Sequence, residues 1–163
     1  MLIEAHLDTA YTHAREREPG EYPSEVRRCS YGMCLVATMD LPAGTVVEKF
    51  EGPIVLNADV PESAVRHTII WDDTSVIIPE TPAKFANHSC DPNSYVNDLM
   101  EIVTSRPVKR GEEITFSYNW IYEGRPDAAW DDRWTFQCKC GSPRCQGLIN
   151  KYVPAPPDRL YSP

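Results

Sequence analysis

Six cysteines stand at positions 29, 34, 90, 138, 140 and 145, and the spacing of the last three is that of a metal clasp. Cys138-x-Cys140-x4-Cys145 places three thiolates close in sequence, with Gly141 and Gly147 available for the tight turns between them. A closed structural zinc site takes four ligands in a tetrahedron, so one is missing locally. Cys90, within Asn87-His88-Ser89-Cys90-Asp91-Pro92-Asn93, leads as the fourth ligand, because a rigid turn at Pro92 can present it from far back in the chain. Cys29 and Cys34 compete for that place. An even number of cysteines also fits a set of disulfides. Cys138 and Cys140, however, are poorly spaced to bond each other, and nothing in the chain points to an oxidising compartment. Zinc is read ahead of disulfides, and as a structural ion, since four thiolates leave it no open coordination position.

The elements that must bring these residues together are short. The 163 residues include 15 prolines and 8 glycines, which break the apolar runs into pieces of strand length. Strands are expected at Cys34–Ala37, Thr45–Phe50, Ile54–Leu56, Thr68–Trp71, Val76–Ile78, Ser94–Asn97, Glu101–Ser105 and Glu113–Tyr118, each bounded by turn residues such as Pro42-Ala-Gly44 and Gly52-Pro53. The order along the chain divides it into an N-terminal arm or linker (1–27), a main domain (28–120), a connecting segment (121–135), a cysteine motif (136–150) and an extended tail (151–163). A short helix or arm is expected at Thr9–Glu18, then an extended linker. The stretch from Asn119 to Thr135 carries Trp120, Tyr122, Trp130 and Trp134, aromatics that must pack on something.

Formal net charge is -8, which disfavours direct nucleic-acid binding and suits a basic protein or peptide partner. No run approaches the roughly 20 apolar residues of a membrane helix, and Met1–Ala10 lacks the pattern of a secretory signal, so the chain is read as soluble, intracellular and without a membrane partner. Neither the oligomeric state nor the choice between nucleus and cytoplasm is read from the sequence.

Four stretches, in order, resemble the SET-domain family of protein lysine methyltransferases with its trailing post-SET zinc motif. Gly32-Met33-Cys34-Leu35-Val36-Ala37 is similar to the family's Gly-x-Gly-Leu-Phe-Ala motif. Asn87 to Asn93 matches Asn-His-Ser-Cys-x-Pro-Asn. Gly111 to Tyr118 matches Gly-Glu-Glu-Ile-Thr-x-x-Tyr, and Phe136 to Gly147 matches Phe-x-Cys-x-Cys-Gly-x3-Cys-x-Gly. The resemblance covers about residues 28–149 and implies a mostly β fold of the SET-domain (β-clip) type. Such a fold has short strands, a knot-like C-terminal segment and a zinc-bound post-SET lid. The stretch between Gly52 and Pro79, where larger relatives insert a helical subdomain, is short here, which implies a reduced version with a small substrate-facing insert.

The activity the resemblance implies is methyl transfer from S-adenosylmethionine to a lysine side-chain amine of a protein, a histone tail among the possibilities, with S-adenosylhomocysteine as product. Asn87 then meets the methionine end of the cofactor and His88 its adenine, largely through backbone. Gly32, Met33 and Cys34 wrap the other side, Lys84 reaches the cofactor carboxylate, and Phe85 adds a wall. Tyr118 is the active-site tyrosine and Phe116 the residue that sets how many methyls are added, Phe favouring two or three. Phe136 and Leu148 cover the adenine or the lysine channel, and Cys90, Cys138, Cys140 and Cys145 hold one structural Zn2+. Two residues depart from the family pattern: Cys34 replaces its second glycine, and Phe50 stands where many relatives carry tyrosine. A non-catalytic SET-like, zinc-stabilised peptide-binding module is the alternative. A cysteine hydrolase using Cys34 or Cys29 with a histidine has residue types alone in its favour.

Overall fold

Prolines and glycines every few residues leave room for short strands, and the computed structural model has them. It describes residue 18 and residues 20–72, 74–118 and 132–149. In chain order the strands are β1 Ser24–Cys29, β2 Gly32–Ala37, β3 Val46–Lys49, β4 Ile54–Leu56, β5 Ile69–Ile70 and β6 Ser75–Ile77. They continue with β7 Asn87–His88, β8 Ser94–Val96, β9 Glu101–Thr104, β10 Thr115–Phe116, β11 Phe136–Gln137 and β12 Leu148–Ile149. The only helical turns among the described residues are short 3-10 turns.

β1 and β2 form an antiparallel hairpin whose turn is Ser30-Tyr31, and Gly32 enters β2 at φ 137°, a conformation that favours glycine. Residues 34–37 of β2 are all buried, whereas β1 alternates half-buried and exposed. Pairing begins at Ser24, inside the stretch expected as arm or linker up to residue 27. The expected helix at Thr9–Glu18 and the tail at 151–163 lie outside the described residues, apart from Glu18 itself.

The central core gathers Leu35 and Ala37 of β2, Val47 of β3, Ile102 of β9, and Ile114 and Phe116 around β10. β3, β9 and β8 form one antiparallel sheet beside it. Gly52 carries no side chain for a simple reason: a Cβ there would lie 2.1 Å from the carbonyl oxygen of Ile78.

Several expected strands are shorter than their apolar runs. Thr45–Phe50 contracts to Val46–Lys49, because Thr45 N turns to the Thr104 hydroxyl and Phe50 N to Met100 O. Glu113–Tyr118 contracts to Thr115–Phe116. Glu113 bridges Val36 and Ile114 N donates to Leu35 O, after which Thr115 and Phe116 run parallel to Asn87 and His88. No single neighbour follows that segment along its length.

The insert folds as the sheet β4-β6-β5 with a small core of Val60, Val65 and Val76. Trp134 closes that core, donating from Nε1 to Val65 O at 3.1 Å and to the Thr68 hydroxyl at 3.2 Å. Arg133 beside it donates to Val60 O and Asn57 O. Trp134 thus has its partner; Trp120, Tyr122 and Trp130 lie outside the described residues.

Candidate active site and metal centre

The cysteine motif meets Cys90 as its spacing anticipated. The sulfurs of Cys90, Cys138, Cys140 and Cys145 all lie within 4.8 Å of one another, with Cys90 and Cys138 at 3.7 Å. Zinc bound at about 2.3 Å to four sulfurs holds them about 3.8 Å apart, so the donor set and its size fit that ion. None of the six cysteines is in a disulfide, and Cys29 and Cys34 stand apart on the β1–β2 hairpin. Backbone amides turn to the sulfurs: Gln146 N to Cys90 at 3.4 Å and Cys90 N to Cys140 at 3.5 Å. Burial pushes the Cys140 thiol up, but the Cys90 and Ser142 amides and the neighbouring thiols outweigh it and bring the group down to about 7.

Three residues upstream of Cys90 begins the other half of the site. Asn87 and His88 form β7, held parallel to β10, so Tyr118 two residues beyond β10 comes alongside. Tyr118 N donates to His88 Nδ1 at 2.9 Å, and His88 Nε2 lies 3.3 Å from the Cys90 sulfur. The ring therefore links the tyrosine to the four-sulfur cluster. Burial lowers the His88 pKa to about 4, so the imidazole is neutral at pH 7. The Tyr118 hydroxyl donates to Ala86 O, and burial, with the charge of Glu113, holds the phenol well above its ordinary range.

An aromatic row runs through this point. Phe50 meets Phe116 edge-on at 5.7 Å between ring centroids, Phe116 lies 4.8 Å from Tyr118, and Tyr118 lies 5.4 Å from His88. Tyr118 packs on both the central core and the cysteine cluster.

On the opposite side, Asn87 Nδ2 donates to Met33 O at 3.0 Å and to the Glu113 carboxylate at 2.8 Å, tying β7 to β2. Gly32 has open space where a Cβ would point, and Met33 is exposed. Cys34 is buried, and desolvation pushes its thiol up to about 11, which leaves it a poor nucleophile at neutral pH.

Lys84 and Phe85 occupy the turn Pro82–Phe85 just before Asn87, with the Lys84 ammonium 5.2 Å from the Phe85 ring centroid. They also engage His67, whose Nδ1 lies 3.1 Å from Lys84 O and whose ring lies 6.3 Å from that of Phe85. Phe136 of β11 packs against Cys90, Cys138 and Ile149, under the Arg66 guanidinium at 5.0 Å. In β12 the residue that packs on the cluster is Ile149, while Leu148 is exposed.

Sequence reasoning passed over two residues of this network. Asn93 is 2% exposed and clamps the signature, donating to Glu113 O at 2.7 Å and accepting from Thr115 N at 3.0 Å. Glu113, quoted only as part of a motif, holds Asn87. A pair of acids directly before a buried strand was the available signal.

A sequence profile of the SET domain matches residues 32–119, which is more than half of the chain. The chain belongs to the SET domain family.

The SET domain of this chain is 29% identical over 141 residues to human histone-lysine N-methyltransferase 2D, covering 73% of this chain and 2% of that protein. It is 32% identical over 137 residues to the H3 lysine-36 specific histone-lysine N-methyltransferase of Cryptococcus neoformans var. neoformans serotype D, covering 72% and 16%. The chain thus spans a small part of these relatives. Among solved structures, KRYPTONITE in complex with mCHH DNA, an H3(1-15) peptide and SAH superposes with a TM-score of 0.60 and 24% identity, covering 78% of this chain and 29% of that one. That likeness fixes the SET fold. Because the KRYPTONITE complex holds DNA as well as peptide, it lends no support to the expectation that nucleic acid is excluded as a partner. No helix among the described residues is long and apolar enough to cross a membrane.

Proposed function

We propose that this SET domain is a protein-lysine N-methyltransferase that uses S-adenosylmethionine and acts on a basic protein segment, a histone tail being the substrate of choice. The observation that carries the reading is the His88 ring, which joins Tyr118 to Cys90 and so builds the Asn-His signature, the tyrosine and the four-sulfur cluster into one site. Bound S-adenosylmethionine would supply a methyl group on a sulfonium and leave as S-adenosylhomocysteine. Asn87 and the main chain of Gly32, Met33 and Cys34 would hold its amino-acid end, with Lys84 at the carboxylate, Phe85 as a wall, the His88 backbone at the adenine and Phe136 over it. The fit rests on the open space beside Gly32 and on Asn87, whose amide hydrogens are both engaged so that its carbonyl oxygen is left to accept.

A lysine amine attacks only when neutral, and in water its pKa is about 10.4. A path walled by Phe116 and Tyr118 would strip water from it and lower that value. Bound S-adenosylmethionine would supply the methyl carbon, its sulfur keeping the electrons of the carbon–sulfur bond, while Tyr118 would hold the amine in line and the amine's extra proton would pass to solvent. Tyr118 keeps its own proton and directs it to Ala86 O, so the phenol offers the amine its oxygen lone pairs. Phe116, rather than a tyrosine with its bound water, leaves room for a second and third methyl.

The zinc cluster acts structurally, holding residues 136–150 as a post-SET lid after a SET domain at 28–120 and a connection at 121–135. The charge of -8 suits a cationic substrate, and an intracellular, histone-bearing compartment is the matching location. The test is incubation with labelled S-adenosylmethionine and a panel of histones and other basic proteins, with Tyr118→Phe beside it. Transfer by wild type and its loss in Tyr118→Phe support the reading. No cofactor binding at all overturns the enzyme and favours the non-catalytic peptide-binding module.

A further inference from the structure

We infer that Glu113 is a positioning residue for the cofactor site, anchored by Tyr31: it fixes the Asn87 amide so that the carbonyl oxygen, and not the NH2 group, faces the cofactor. The inference deepens the reading above and rests on it.

An asparagine amide can sit either way round, and its partners decide which. Here both partners can only accept. Met33 O lies 3.0 Å from Nδ2, and the Glu113 carboxylate lies 2.8 Å from it. With both amide hydrogens taken, the carbonyl oxygen is the atom left outward. Glu113 is itself held at several points. Its backbone bridges Val36, its carbonyl accepts from Asn93 at 2.7 Å, and the second carboxylate oxygen accepts from the Tyr31 hydroxyl. Tyr31 sits in the β1–β2 turn and is 66% exposed, so its contribution to the core is small. Its hydroxyl nevertheless reaches a half-buried carboxylate across the hairpin.

An oxygen acceptor backed by a carboxylate suits a cation, and the cation that an amino-acid-bearing cofactor offers is its ammonium group. Without Glu113 the amide is free to turn and to point its NH2 at that ammonium. The hairpin turn thus becomes part of the cofactor site, although it lies outside every motif in the sequence.

The test measures S-adenosylhomocysteine binding by calorimetry for wild type, Glu113→Ala, Glu113→Gln, Tyr31→Phe, Asn87→Ala and the Asn87→Ala/Glu113→Ala pair, with zinc content and thermal midpoint as folding controls. Loss of a charge-assisted hydrogen bond predicts binding weakened about tenfold in Glu113→Ala. Glu113→Gln, whose amide oxygen still accepts from Asn87, recovers most of it. In the Asn87→Ala background the removal of Glu113 adds nothing, and in turnover the cofactor KM rises while the peptide KM holds. Independent, multiplying losses in the double variant overturn the inference, as does a Glu113→Gln no better than Glu113→Ala. If Glu113→Ala does not fold, Tyr31→Phe carries the test: its weaker binding must vanish in the Asn87→Ala background. Wild type that binds no cofactor sinks the functional reading and this one together. Wild type that binds while Asn87→Ala binds equally well sinks this one alone.

Discussion

The Nε2 atom of His88 lies 3.3 Å from the sulfur of Cys90, on the edge of the four-cysteine cluster. Because Tyr118 N donates to Nδ1, the ring proton resides on Nε2 and faces the Cys90 sulfur, the arrangement by which outer groups would steady a metal-bound thiolate. His88 thus touches both the four-sulfur cluster and Tyr118.

Replacing His88 with Ala should therefore weaken zinc retention by about 10- to 100-fold. Competition against a chromophoric chelator measures it. Retention equal to wild type would remove His88 from the metal's surroundings.

Acid should act through the same ring. His88 has a folded pKa near 4, below the ordinary value of 6.5, because burial disfavours the imidazolium. Its contribution to stability is thus complete above pH 6.5 and is lost as pH falls toward 4. Protonation would also set an N–H at Nδ1 against the Tyr118 amide. Urea titrations at pH 7 and pH 5 should show wild type losing more stability than His88→Asn over that interval.

The metal itself should number one per chain, and Cys90→Ser should lose it while Cys29→Ser keeps it. Elemental analysis of the purified variants reads this directly. Stripping the zinc should speed hydrogen exchange in residues 136–149 and leave β3, β8 and β9 protected.

Trp134 ties the cysteine motif to the insert. Truncation to Ala should cost about 3–5 kcal/mol, since the indole closes the core of Val60, Val65 and Val76, whereas Trp134→Phe should lose chiefly the hydrogen bonds to Val65 O and Thr68, about 1 kcal/mol. Chemical denaturation separates the two.

Much of this site was legible because chemistry wrote it in close spacings. Cys138, Cys140 and Cys145 announce a metal, and the Asn87–Asn93 signature supplies the fourth sulfur. What escaped has physical reasons. β1 reads Ser-Glu-Val-Arg-Arg-Cys, and with Val26 as its one aliphatic residue on the core it carries little apolar period. The parallel pair β7–β10 joins segments far apart in sequence, two residues from each, too short for any periodicity to reveal. Glu113 and Asn93 act through hydrogen bonds to distant backbone, which residue type alone does not encode. Leu148 and Ile149 are equally apolar, and only the register of β11 with β12 decides that Ile149 packs inward.

The central claim is that the four-sulfur cluster completes a cofactor pocket around Asn87, His88 and Tyr118. Calorimetric titration of S-adenosylhomocysteine into the zinc-loaded chain, and then into the same chain stripped of metal, tests it most directly. One saturable site that weakens at least tenfold on stripping is the expected result; equal binding with and without zinc, or none with zinc in place, would contradict it.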